Sequence, residues 1–448
     1  MDKQQKFVIK GGNPLKGEVS LCGAKNSGFK LMIASLYSNE PSEIRNFSKI
    51  GDTSSTGEII KSLGGEVIFG KNHIVTVSGK NLKKNIISER QGKLSRAATY
   101  FIGPLLYHFG RVIVPNPGGC KIGRRPLDRH LEGIKALGAK IKVLGNNYQI
   151  SADKLEGTRF RFNKSTHGGT DVMVIAASSA RGKTILENAA QEPEVDDLIA
   201  FLNKMGAKIK RVKPRIIVVE GVNRFKSARH TVMPDRNEAV TFACGALATR
   251  GDIFVKQADP RVLRVFLDEL RKVNGGYQIK KDGVRFFYQG ELKPCNILTR
   301  PYPGFMTDWM GVWSVLMTQA KGESIIHETI FENRFAFVNE LKKMGAKIEL
   351  FNPYVPKPQE VYNFNLEDDR PEYFHAARIF GPTKLKAANL EITDVRAGAT
   401  LILASLVASG RSELRGVSLV DRGYENLDQR MHLLGADIKR IDDKAMFP

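Results

Sequence analysis

A mixed α/β chain of six similar units, grouped three and three into two domains, is the fold class the sequence predicts. Three observations carry this expectation: a phrase repeated through the chain, a nearly constant interval between its copies, and an alternation of strand-like with helix-like segments. In the phrase, a helix-like segment ends in a hydrophobic residue plus Gly and runs into alternating residues. It reads SLGGEVIF from Ser62, ALGAKIKV from Ala136, KMGAKIKR from Lys204, KMGAKIEL from Lys343 and LLGADIKR from Leu433, with VNGGYQIK from Val273 a looser copy. Glycine takes the left-handed conformation of a helix end at little cost, and the alternation suits a half-buried strand. With the glycines taken as Gly64, Gly138, Gly206, Gly275, Gly345 and Gly435, the intervals are 74, 68, 69, 70 and 90 residues. Such spacing is longer than that of most solenoid repeats and leaves each unit room for two helices and several strands.

At 448 residues the chain exceeds the roughly 250 to 300 at which single cores stop growing, so two domains are expected. A boundary near Pro234 divides the units three and three. Residues 23–233 then form one domain, and residues 1–22, which include a strand-like run, join 234–448 in the other. The longer last interval is explained by an insertion from Asn352 to His375, rich in Pro, aromatic and acidic residues. FVIKGG, GEVSLCG, HIVTVSG, RVIVP and GDIFVK read as strands, and DRHLEGIKALG and DDLIAFLNKMG as helices, the mark of mixed α/β units.

Composition is that of an ordinary globular protein, 42% hydrophobic and 26% charged. The N-terminus lacks the apolar stretch of a secretory signal, and no apolar segment approaches the ~20 residues of a membrane span. A cytoplasmic protein is expected. Its four cysteines lie far apart without CxxC pairing, which argues against a disulfide framework or a zinc site; no metal and no cofactor are expected. The net charge of +22 invites a nucleic-acid reading, but the basic residues are spread along the chain as a solvated surface would spread them.

Cys120 stands out among the reactive side chains. It lies in NPGGCKIGRRP, where Pro115, Pro117, Gly118, Gly119 and Gly123 exclude regular structure, and Lys121, Arg124 and Arg125 favour its thiolate. A thiol there suits a nucleophile or a general acid. Cys22, Cys244 and Cys295 have unremarkable settings and read as packing residues. Lys25 and Asn26 fall where a strand turns through Gly23 into a helix, a seat for anions. Asp394 with Arg396 in ITDVRAGATL, Asp421 with Arg422 in VDRGYE after a strand-like run, and Asp235 with Arg236 in MPDRNEA pair acid and arginine at element ends, each also compatible with a simple cap. Asp308, in FMTDWMGVW, is a carboxylate in an aromatic setting that would raise its pKa and suit it to act as a base.

Together, KN near the start, PGGCxIGxRPxDxH, the repeated phrase, ENAAQEPEVDD, PDR, ETIFENRF, TDxRAGAxL and DRGYE resemble the UDP-N-acetylglucosamine 1-carboxyvinyltransferase family, in order from about residue 8 to 442. The resemblance implies the enolpyruvyl transferase fold, an inside-out α/β barrel of βαβαββ units packed around buried helices, with the active site in the cleft between two domains. It implies transfer of the enolpyruvyl group of phosphoenolpyruvate to the 3-hydroxyl of UDP-N-acetylglucosamine, the first committed step of peptidoglycan precursor synthesis. On matching positions, Lys25, Asn26, Arg125 and Arg422 would hold phosphoenolpyruvate, and Cys120, on a Gly-rich lid, would donate a proton. Arg125, Pro126, Leu127, Asp128 and Arg129 would hold the uridine diphosphate. Arg96, Lys164, Ser165, Thr166, His167 and Gly168 would add contacts to the nucleotide sugar. Asp308 would be the base, with Ile330 nearby, and Arg396 would help offset substrate charge.

Two departures from the family pattern are visible: SGFK follows KN where small apolar residues and Pro are usual, and His167 replaces a small apolar residue. They motivate a second reading, an enolpyruvyl transferase with another nucleotide or sugar acceptor. A third, a non-catalytic or RNA-binding relative, is motivated by the +22 charge. Retention of Lys25, Cys120, Asp308 and Arg422 weighs against it, as does the absence of an aromatic and basic platform for RNA.

Overall fold

The computed structural model describes residues 5–94, 96–116 and 127–443, with side chains left out for 93–96. Cys120, Arg125 and Pro126 lie outside the described residues, as does the side chain of Arg96. By contact, the chain divides into two compact units, one containing residues 23–119 and 125–233 and the other 1–22 and 234–448. Among the described residues no helix is long and apolar enough to cross a membrane.

The strands lie in six separate sheets built on one plan. A parallel pair is followed, across the sheet, by two antiparallel pairings. In the contiguous unit, Arg159–Arg161 runs parallel to Lys183–Glu187, which pairs antiparallel with Ile216–Glu220, itself antiparallel to Lys208–Lys213. Arg229–Thr231 crosses back to lie parallel to Ser42–Arg45, joining the last repeat to the first. The remaining sheet has three strands, and its parallel partner is reduced to a single bridge between Ile86 and Ile113. In the other unit Lys16–Ser20 lies parallel to Asp252–Lys256, and Gln5–Lys10 is sandwiched between Arg411–Arg415 and Asp437–Asp442.

Each repeat contributes one helix to the interior and one to the surface. The interior helices are Lys25–Ala34, Ile102–Phe109 and His167–Ala177 in one unit, and Arg236–Ala248, Met310–Met317 and Val395–Val407 in the other. Arg236–Ala248 and Met310–Met317 are buried at every residue, so their sequences carry no polar face. Small residues let these helices touch: a Cβ on Gly311 would sit 2.2 Å from Thr400 Oγ1. Surface helices bury one stripe, as Arg264–Lys272 does with Phe266, Leu267 and Leu270.

The repeated phrase closes the surface helices. Gly64, Gly138, Gly206, Gly345 and Gly435 all have φ between +86° and +103°, the left-handed region where a side chain is strained. The fourth copy differs from expectation. There Asn274 takes the left-handed residue, at φ +62°, and Gly275 already begins the strand Gly275–Lys280. Asparagine tolerates that region better than most residues; here its side chain is fixed from farther along the chain, Nδ2 donating to Glu291 O at 3.0 Å and Oδ1 accepting from Gln289 Nε2 at 3.2 Å.

The segment from Asn352 to His375 connects the antiparallel strands Lys347–Phe351 and Ala376–Gly381 and holds only short helical turns. Aromatic and imidazole rings anchor it. His327 Nε2 lies 3.2 Å from Tyr362 Oη, His375 Nε2 lies 3.0 Å from Asp369 Oδ2, and the rings of Tyr362, Phe364 and His375 pack at about 5 Å. Burial, with His375 adding to it, pushes the His327 imidazole down to about 4 from its ordinary 6.5. A folded value below the ordinary one means that folding disfavours the protonated ring. This contribution is complete above pH 6.5 and is lost as pH falls toward 4. Thermal melts across that range are expected to show a falling Tm that flattens in His327→Gln; identical slopes would refute the assignment.

Candidate active site

Several of the sequence-predicted residues lie at the N-terminal ends of the interior helices. Free backbone N–H groups and the helix dipole make such ends suited to anions. Lys25 is the first residue of Lys25–Ala34, whose N-cap residue Ala24 offers no side-chain cap. Its ammonium is 2.7 Å from Asp52 Oδ2, in the first turn of the surface helix Gly51–Ser62. Asn26, half-buried, follows it. Arg96 opens the turn Arg96–Phe101 that leads into Ile102–Phe109. Lys164, Ser165 and Thr166 lead into His167–Ala177, with Thr166 Oγ1 capping Gly169 N at 3.2 Å and Arg215 donating to Ser165 Oγ at 2.9 Å. Gly168 is tightly packed, since a Cβ would meet the side-chain ends His130 Nε2 at 3.0 Å and Tyr100 Oη at 3.1 Å. Leu127 is buried, and Asp128 and Arg129 form the first turn of Asp128–Ala136, the surface helix that packs on His167–Ala177.

A buried network sets the start of the Lys25 helix. Ser27 Oγ donates to Asp197, which also accepts from Met233 N at 3.4 Å and stands 2.8 Å from His230 Nε2. Lys204 Nζ lies 3.1 Å from His230 Nδ1, so the lysine donates there and the ring donates from Nε2 to the carboxylate. Asp197→Ala leaves Ser27 and His230 buried without their acceptor and is expected to cost about 3 kcal/mol in chemical denaturation. A loss below about 0.5 kcal/mol, the usual scatter of surface substitutions, would show the network to be dispensable.

In the other unit, Asp235 and Asp394 cap their interior helices, Asp235 accepting from Asn237 N and Glu238 N, Asp394 from Arg396 N and Ala397 N. Asp308 stands at the corresponding place, in the turn Thr307–Trp309 before Met310–Met317. Its expected aromatic setting does not describe what the carboxylate meets. Trp309 and Trp313 turn into the core against Phe266 and Phe305. The oxygens face two guanidiniums, Arg396 Nη2 at 2.9 Å and Arg334 Nη2 at 3.4 Å. Arg334 reaches Asp394 Oδ1 at 3.6 Å, and Arg396 donates to Tyr424 Oη at 3.2 Å. Burial works against the Arg396 cation, but Asp308 and Tyr424 more than offset it and hold its pKa above the ordinary value. Ile330 sits in a turn fixed by Glu328, which accepts from Ile330 N and Phe331 N at 2.8 and 2.9 Å.

Asp421 and Arg422 were expected after a strand. The strand Arg411–Arg415 instead ends at Gly416, with φ +84°, and Val417–Asp421 is a short helix burying Val417 and Val420. Asp421 pairs with Arg440, 2.8 Å away, so it is not the equivalent of Asp235 and Asp394. Arg422 follows it, half-buried. Asp52, Asp197, His230 and Arg334 were not singled out in the sequence. Asp197 and Arg334 lie inside the quoted ENAAQEPEVDD and ETIFENRF, where an acid or arginine among apolar neighbours was the available signal.

Solved structures share this architecture. The enolpyruvyl transferase NikO from Streptomyces tendae aligns with a TM-score of 0.85 at 21% identity, covering 98% of this chain and 99% of that one. EPSP synthase from Acinetobacter baumannii aligns at 0.71 and 16%, covering 98% and 100%. The family model described as EPSP synthase (3-phosphoshikimate 1-carboxyvinyltransferase) matches residues 9–431. Fold and site thus define an enzyme of the enolpyruvyl transferase class. Among curated relatives, a UDP-N-acetylglucosamine 1-carboxyvinyltransferase of Halothermothrix orenii is 39% identical over 97% of this chain and 99% of its own. Those of Carboxydothermus hydrogenoformans and Staphylococcus aureus are each 38% identical, over 99% and 98% of this chain and the whole of theirs. The chain belongs to the UDP-N-acetylglucosamine 1-carboxyvinyltransferase family.

Proposed function

We propose that the protein transfers the enolpyruvyl group of phosphoenolpyruvate to the 3-hydroxyl of UDP-N-acetylglucosamine and releases inorganic phosphate, the first committed step of peptidoglycan precursor synthesis. The observation that carries this reading is near-full-length identity of 38–39% to relatives bearing that name. The position of Asp308 supports it, a carboxylate with two buried guanidiniums at the head of an interior helix.

Addition needs a proton delivered to the methylene carbon of phosphoenolpyruvate and another taken from the sugar hydroxyl as its oxygen attacks the adjacent carbon. Cys120 supplies the first and Asp308 accepts the second. The tetrahedral intermediate then loses a proton from the new methyl group and its phosphate, which restores the enol ether. Both substrates are anions, and cations in place before the reaction offset their charge without reorganising. Lys25, Asn26, Arg125 and Arg422 hold phosphoenolpyruvate, with Asp52 fixing the Lys25 ammonium. Arg125, Pro126, Leu127, Asp128 and Arg129 hold the uridine diphosphate. Arg96 and the run Lys164, Ser165, Thr166, His167 and Gly168 at a helix N-terminus contact the nucleotide sugar, with Ile330 nearby. Arg396 orients Asp308 through its hydrogen bond to Oδ2.

The test is phosphate release from phosphoenolpyruvate with UDP-N-acetylglucosamine, run beside other UDP-sugars. Release with UDP-N-acetylglucosamine alone is expected. Release with a different sugar nucleotide would move the acceptor and keep the chemistry, and no release with any would sink the reading.

A further inference from the structure

Lys30, in the middle of the helix Lys25–Ala34, is 2% exposed. A buried ammonium persists only when paired. One partner is Asp171, itself wholly buried, whose Oδ2 lies 2.5 Å away. The other is His167, whose Nε2 lies 2.8 Å from Lys30 Nζ. The rings of Phe29 and Tyr100 flank the ammonium at 5.9 Å, and the negative charges of Glu192 and Glu194 also act on Asp171. Lys30 ends the run SGFK, which with His167 departs from the family pattern, and the fold brings the two side chains together across 137 residues.

An ammonium has three donors and no acceptor. Its contact with an imidazole nitrogen therefore uses the lone pair of Nε2, which leaves the ring proton on Nδ1. Asp171 Oδ2 is 3.5 Å from Nε2, farther than the ammonium that both share, and so does not claim that nitrogen. Lys204 and His230 repeat the device elsewhere in the same unit, a lysine donating to one ring nitrogen and thereby assigning the proton to the other.

We propose that Lys30 is a positioning residue that holds His167 as an uncharged, Nδ1-protonated imidazole at the head of the helix His167–Ala177, and so fixes the ring in the run that contacts the nucleotide sugar. The assignment rests on the reading of residues 164–168 as contacts to the nucleotide sugar. Paired with Asp171, the lysine adds no net charge to the helix end. It makes His167 a determinant of how the acceptor is seated.

Nitrogen-15 imidazole spectra of the wild-type enzyme, at about pH 8 where Asp171 is ionised above the value near 7 to which burial pushes it, read the tautomer directly. A bare Nε2 and a protonated Nδ1 are expected for His167, and the reverse overturns the proposal. Lys30→Met combined with Asp171→Asn removes the charge pair without leaving either member alone. In that variant the His167 nitrogens should show mixed tautomers, and KM for UDP-N-acetylglucosamine should rise about tenfold, the worth of one hydrogen bond, with kcat within about twofold. A KM equal to that of the wild type overturns the positioning role. If the double variant does not fold, the wild-type spectrum still decides the tautomer. A wild-type enzyme that releases no phosphate with this acceptor would sink the functional reading, and the ring-nitrogen shifts would then judge Lys30 on their own.

Discussion

Cys120→Ala is expected to lower kcat for phosphate release by ~10²–10⁴, the usual worth of a general acid, while KM for the nucleotide sugar stays within about threefold. On the proposed role the loss falls on kcat, because the thiol would deliver a proton and not hold the acceptor. The other cysteines sharpen the test. Burial pushes the thiols of Cys22 and Cys244 far up, and burial together with the Glu269 hydrogen bond pushes Cys295 up to about 12. None of the three offers a useful thiolate fraction near neutral pH. A thiol-alkylating epoxide phosphonate of the fosfomycin type should therefore inactivate the enzyme with one adduct per chain, on the peptide containing Cys120. Normal turnover by Cys120→Ala, or adducts spread over Cys22 and Cys295, would count against the role.

Asp308→Asn carries the second large effect. The amide keeps the shape of the side chain but cannot take a proton from the sugar hydroxyl, so kcat should fall by ~10²–10⁴. It also leaves Arg334 and Arg396, both buried, without the carboxylate they share. Breaking such a pair is costly, and about 3 kcal/mol of unfolding free energy should be lost with it. Arg334→Met separates the two consequences, for it removes one guanidinium and leaves the base. Its activity should fall far less than that of Asp308→Asn. Equal loss in both variants would mean that Asp308 acts by holding the turn together and not by chemistry.

What the sequence made legible follows the range of the forces involved. The glycine ends of the surface helices were readable because a left-handed residue is a local requirement, written in one position and its neighbours. The exception, Asn274, fails the Gly pattern because an asparagine takes the left-handed residue there, its side chain held by Glu291 seventeen residues on. Asp235 and Asp394 could be read as caps because the cap and its N–H partners are two or three residues apart. Side-chain pairs joined through space were not readable. Nothing next to Lys25 announces Asp52, nothing next to Ser27 announces Asp197, and nothing next to Asp308 announces Arg334. Asp308 was misjudged for the same reason, since its sequence neighbours are tryptophans that point elsewhere. Asp421 was misplaced because Gly416 turns an apolar run away from its strand and into a helix.

The strand Gln5–Lys10 has its neighbours at Arg411–Arg415 and Asp437–Asp442, more than four hundred residues away along the chain. A ribosome therefore makes this strand well before its partners. The unit that spans 23–233 can close as soon as Arg229–Thr231 emerges and meets Ser42–Arg45, whereas the other must keep Gln5–Lys10 waiting until Arg411–Arg415 and Asp437–Asp442 are made. Contacts of such separation are slow to form, and an unpaired strand edge invites association with other chains while it waits. The order of birth thus runs opposite to the order of assembly: the contiguous unit is expected to fold first, and the unit carrying Asp308 only after Asp437–Asp442 has left the ribosome.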